Sequence, residues 1–125
     1  MWKFQVVALV FLAVLASGCS SLSERNDAVQ VRVANRSTYD FEKVTVTFPE
    51  GAREYGRVAK GAAAGYQEVK KAYGYAPVEV TIQGGSWRFQ PQDYLGEKPL
   101  APGRYTYALS LDESAHSVRL ELVKD

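Results

Sequence analysis

The chain has one cysteine, one histidine and one methionine in 125 residues. A lone cysteine excludes a disulfide within one molecule, so the fold must rest on its apolar core and on backbone pairing. A lone histidine, His116, with scattered carboxylates excludes the usual zinc spacings. No glycine-rich phosphate loop is present, because Gly61 to Gly65 enclose only alanines and no Lys-Ser or Lys-Thr follows. Asp93 and Glu97 lack the aspartate-rich loop that would supply the roughly six to eight oxygens of a calcium site. Excess charge is missing as well. Fifteen basic residues stand against fourteen acidic ones, so no net field draws the chain to nucleic acid. No apolar run reaches the ~20 residues of a spanning helix.

What is present begins at the front. Met1-Trp2-Lys3 supplies one positive charge, and Phe4 to Ala16 is apolar apart from Gln5. This is the plan of a secretory leader. Leu15-Ala16-Ser17-Gly18-Cys19 follows, with small residues before the sole cysteine. The stretch resembles the lipobox of bacterial lipoproteins, although leucine there commonly stands three residues before the cysteine, where this chain has Ala16. The resemblance implies removal of residues 1–18 and acylation of Cys19, a covalent lipid being the only cofactor. Multiple acyl chains hold a protein stably at a membrane. Ser20, in place of the aspartate that retains enteric lipoproteins in the inner membrane, points to the outer membrane facing the periplasm. The alternative is an ordinary secretory signal cut near Ala16 or Gly18, leaving a soluble domain with a free thiol. Residues 19–27 then form a lipidated cysteine and short polar linker, and residues 28–125 are enough for one domain.

From Val29 onward apolar residues recur at every second position, the period of half-buried strands. Val29, Val31 and Val33 form one face, closed by the turn chemistry of Asn35-Arg36-Ser37. Val44, Val46 and Phe48 form another, with a frame shift after Phe41 that suggests a bulge. Residues 78–90 read as a hairpin turning at Gly84-Gly85, with Trp87 expected in the core. Tyr105 to Leu111 and Val118 to Leu122 form a second hairpin around Asp112–His116. Residues 62–73 read as a strand or a strand with one helical turn, and residues 91–103 as a long irregular connection. This rhythm predicts an all-β fold, a single antiparallel β-sandwich of about seven strands. Gly103-Arg104-Tyr105-Thr106-Tyr107 resembles the start of the penultimate strand in immunoglobulin-like and transthyretin-like domains. That resemblance implies a Tyr105 hydroxyl bonded to a nearby loop backbone, and it transfers no function.

Catalytic chemistry is sparse. Acylation would remove Cys19 as a nucleophile, and His116 has only Ser114, Ser117 and Asp112 for company in a hairpin tip, with no oxyanion site. The better lead is aromatic. Tyr66, Tyr73 and Tyr75 cluster around Lys70 and Lys71, and tyrosine offers a rigid contact surface with a polar tip. The segment is therefore a candidate surface for an envelope protein or a glycan, the competing expectation being that the rings merely cover the ends of a small sandwich. The leading expectation is a non-enzymatic, membrane-anchored envelope lipoprotein with an interaction domain. A periplasmic ligand-binding or inhibitor module using the tyrosines is the second, and a small hydrolase the third.

Overall fold

The computed structural model describes residues 28–91 and 98–125. The leader, Cys19, the linker and the Asp93 and Glu97 pair lie outside the described residues. Eight strands follow in chain order: β1 Val29–Asn35, β2 Lys43–Phe48, β3 Gly51–Glu54, β4 Gln67–Val69, β5 Val78–Ile82, β6 Gly85–Phe89, β7 Gly103–Asp112 and β8 Ser117–Lys124. The period-two pattern is realised directly, since β1 and β5 bury every second residue. The described residues contain no helix, and the fold is all-β.

The strands form one curled sheet in the order β3-β2-β5-β6-β8-β7-β1-β4. Two four-strand halves meet in its middle through a single parallel partnership, Arg88 with Ser117. A second parallel pairing runs the length of β1 against β7, from Val29–Gly103 to Asn35–Leu109. The expected arrangement of seven antiparallel strands is thus corrected to eight strands in a mixed sheet. Side-chain alternation has the same period in parallel and antiparallel strands, and only a hairpin turn announces an antiparallel neighbour. No such turn joins β1 to β7.

The curled sheet closes over the core. Phe48 on β2 stacks on Tyr107 of β7 with centroids 6.1 Å apart. Tyr55, just after β3, donates its hydroxyl to the Val31 carbonyl of β1 at 2.6 Å. Burial pushes that phenol well above its ordinary pKa. Phe41, Val44, Val46, Val80 and Leu109 fill the centre and are fully buried. Phe41 lies outside β2 in an isolated bridge to Val58, which accounts for the frame shift. The β5–β6 hairpin turns at Gln83 and Gly84, one residue earlier than the glycine pair suggested. Both take positive φ, 50° and 79°, the conformation whose twist suits a two-residue hairpin and that glycine adopts without a Cβ clash.

Candidate interaction surface

Between β4 and β5 the chain runs Lys70-Lys71-Ala72-Tyr73-Gly74-Tyr75-Ala76-Pro77. Ala72 and Ala76 are buried and act as anchors. Backbone bonds hold the segment along its length. Ala72 O accepts from Leu100 N–H at 2.8 Å and Pro77 O from Thr47 N–H at 3.0 Å. Tyr73 O accepts the Tyr107 hydroxyl at 2.6 Å. With alanines inward and the backbone fixed, the large side chains between them turn outward. Tyr73 and Tyr75 are half-buried, and Lys70 and Lys71 are exposed.

Tyr73 and Tyr75 line a groove of about 230 Å³ together with Phe48, Pro49, Ala76 and Pro77. Its floor is firm, because Phe48 is buried against Tyr107. No charged side chain lines it, so the groove offers aromatic faces and proline rings rather than acid–base chemistry. Charge lies alongside. The Lys70 N–H donates to the Glu50 carboxylate, next to Pro49. That bond, followed by the Arg53 guanidinium at 3.1 Å, holds the Glu50 carboxyl below its ordinary pKa. The Lys70 and Lys71 ammonium groups have no ion pair among the described residues.

Tyr66 lies apart, among the outward-facing side chains of β1 and β7. Its hydroxyl donates to Asp125 Oδ2 at 2.6 Å, and the guanidiniums of Arg32 and Arg104 lie 4.8 and 5.3 Å from its ring centre. The Thr106 hydroxyl also donates to Asp125, at 2.6 Å. These donors lower the Asp125 pKa, and the carboxylate in turn raises that of Tyr66. The cluster is satisfied internally. The five residues singled out in sequence therefore divide, with Tyr73, Tyr75, Lys70 and Lys71 near one groove and Tyr66 elsewhere.

In sequence Phe48 stood only as the end of a strand face, with nothing to connect it to Pro49 or Pro77 as one surface. The antiparallel pairing of β2 with β5, Val46 opposite Val78, brings them together. Trp87 is half-buried at the rim of the core rather than inside it, and its ring stacks on His116 with centroids 3.9 Å apart. Ser114 donates to Asp112 at 2.8 Å instead of facing the imidazole. No group of three or more metal-ligating side chains occurs among the described residues.

No family model matches the chain, and no curated protein is similar to it. Among solved structures, an NMR structure of a protein from Eubacterium rectale has a TM-score of 0.57 at 16% identity, covering 79% of this chain and 91% of the other. A crystal structure described as a "putative cell adhesion protein" from Bacteroides uniformis has a TM-score of 0.52 at 11% identity, covering 79% of this chain. This chain spans half the length of that protein. At these identities the likeness is one of fold alone.

Proposed function

We propose that this chain is a non-enzymatic bacterial lipoprotein, tethered through Cys19 to the outer membrane and facing the periplasm. Its all-β domain binds an envelope protein or glycan at the Tyr73–Tyr75 groove. The anchor rests on the Leu15-to-Cys19 stretch. The observation that carries the binding role is the aromatic groove itself, uncharged, firmly floored and bordered by the exposed Lys70 and Lys71. Its volume, about 230 Å³, falls below the roughly 300–1,000 Å³ of pockets that enclose a free small ligand. An inserted side chain or sugar ring of a larger partner suits it better, which favours the interaction domain over a soluble-ligand carrier. Adhesion, the role suggested for the Bacteroides uniformis protein, belongs to the same non-catalytic class.

The finer reading of the fold is an immunoglobulin-like or transthyretin-like sandwich whose layers are the two four-strand halves. Support comes from the Tyr105 hydroxyl, which donates to the Ala101 carbonyl at 2.8 Å as the sequence resemblance implied.

The test replaces Tyr73 and Tyr75 with alanine in the full chain and measures retention on isolated peptidoglycan and photo-crosslinking to envelope proteins. Binding is expected to fall at least about tenfold, as for the loss of an interface anchor, with the melting temperature changed by only a few degrees. Undiminished binding, or collapse of the fold, would sink the groove assignment. Intact mass of the native protein tests the anchor separately, and an unmodified Cys19 would refute it.

A further inference from the structure

The tether joins the domain at one end of the sheet, and the strand registers define what else lies there. Ala28, the residue before β1, accepts the Gly103 N–H at 3.0 Å. Val29 stands opposite Gly103 of β7 on one side and Val69 of β4 on the other. Lys70 and Lys71 follow Val69 directly, Arg104 follows Gly103, and Lys124 of β8 stands opposite Tyr105. Three stretches distant in sequence thus deliver four cations to the end where the chain enters from Cys19. All four are exposed. The carboxylates on this side are engaged. Glu50 accepts from the Arg53 guanidinium at 3.1 Å and from the Lys70 N–H. Asp125 accepts the hydroxyls of Tyr66 and Thr106 and has Arg32 at 3.8 Å. Glu68, opposite Gln30, adds one more negative charge. Cations prevail among the described residues of this end, although the whole chain is nearly neutral.

We propose that Lys70, Lys71, Arg104 and Lys124 seat this end of the domain on the phosphodiester headgroups of an anionic phospholipid bilayer. This contact presupposes acylation of Cys19, the anchor of the proposed function, and is a second hold beside it. Two features select the bilayer as the occupant. Residues 19–27 alone separate the acyl chains from Ala28, and fully extended they span at most about 30 Å, so this end stays close to the headgroups. Charge is also complementary, since each Lys or Arg brought near an anionic membrane surface strengthens association about fivefold. The tether already holds the two surfaces at high effective concentration, so a few such contacts suffice to orient the domain.

The test places a fluorophore on the processed lipoprotein in vesicles that carry a nitroxide at the lipid headgroup, which quenches only near contact. Because acylation occupies the Cys19 sulfur, Ala101→Cys supplies the one free thiol at the tether end. Ala115→Cys supplies one at the β7–β8 turn as a control, and both positions are exposed. Quenching at position 101 should be strong in equimolar phosphatidylcholine and phosphatidylglycerol, weak in phosphatidylcholine alone, and lost in high salt. Position 115 should stay unquenched throughout. Arg104→Gln/Lys124→Gln and Lys70→Gln/Lys71→Gln should each lower the docked-to-undocked ratio about tenfold or more, whereas Lys70→Arg/Lys71→Arg should keep it. Melting temperature checks that each variant folds. Quenching at position 101 that ignores lipid charge, or that survives both glutamine pairs, would overturn the docking. An unmodified Cys19 by intact mass refutes the anchor and the docking with it, whereas a lipidated chain without charge-dependent quenching refutes the docking alone. Arg104 and Lys124 do not line the Tyr73–Tyr75 groove, so their loss leaves the partner test intact.

Discussion

Asn35 shows how much one polar side chain can organise. It sits on the core face of β1 and is 1% exposed, a position where an amide must satisfy all its hydrogen-bonding groups. It does so locally. Nδ2 donates to the carbonyls of Tyr39 at 2.7 Å and Val58 at 3.0 Å, and Oδ1 accepts from the Ser37 N–H and hydroxyl at 2.8 and 2.7 Å. The β1–β2 loop is thereby tied to the Phe41–Val58 bridge. Replacement by alanine leaves each carbonyl a second donor, Ser37 Oγ for Tyr39 and Phe41 N–H for Val58. The expected loss is therefore about 2–3 kcal/mol rather than a sum over four bonds, read as a lower urea midpoint at unchanged slope. Asp125 supports a pH-dependent prediction. Hydroxyl donation from Thr106 and Tyr66 holds its carboxyl below the ordinary aspartate value, so its contribution is present above that value and lost as the pH falls through the lowered one. Tyr66 is shifted the other way by the same bond, so its share is complete below the ordinary phenol value and fades above it. Wild type should melt slightly higher than Asp125→Asn at neutral pH, and the difference should vanish in strong acid.

At the scale of elements, what could be read depended on which partners lie close in sequence. The β5–β6 and β7–β8 hairpins were legible because alternation and turn residues lie within one short window. The Tyr105 hydroxyl bond was legible for the same reason, its acceptor being Ala101. β3 was not, because Gly51-Ala52-Arg53-Glu54 has no apolar face and is a strand only through pairing with Thr45–Phe48. β4 is three residues long and owes its existence to Val29–Val31. Neither carries a pattern of its own, so tertiary context decides. The same limit applied to the groove. Tyr73 and Tyr75 stood out by composition, whereas Phe48 and Pro49 enter only through the β2–β5 register. Tyr66 looked equivalent to the other two tyrosines in sequence, yet a strand's two faces divide neighbours, and the Arg32, Thr106 and Asp125 side chains claim it.

At the scale of the whole molecule, an open sheet must protect its edges, since unpaired peptide groups recruit other chains. Here the sheet curls until its terminal strands β3 and β4 meet, and side chains close the gap. Gln67 Nε2 donates to the Glu54 carbonyl at 2.7 Å, while Arg53 Nη1 donates to Gln67 Oε1 at 3.3 Å. The Glu50 carboxylate accepts the Lys70 N–H one step further along. Gln67 thus substitutes for the ladder that two short strands cannot form. If this seam holds the curl, Gln67→Ala should loosen β3 and β4 and spare the β7–β8 hairpin. Losing two hydrogen bonds at a partly exposed site amounts to about 1–2 kcal/mol. Amide exchange in Gly51–Glu54 and Gln67–Val69 should then accelerate roughly tenfold by local opening, while Leu109 and Val118 keep their protection. Uniform acceleration across all strands would mean that the molecule opens as one unit and that the seam carries no separate stability.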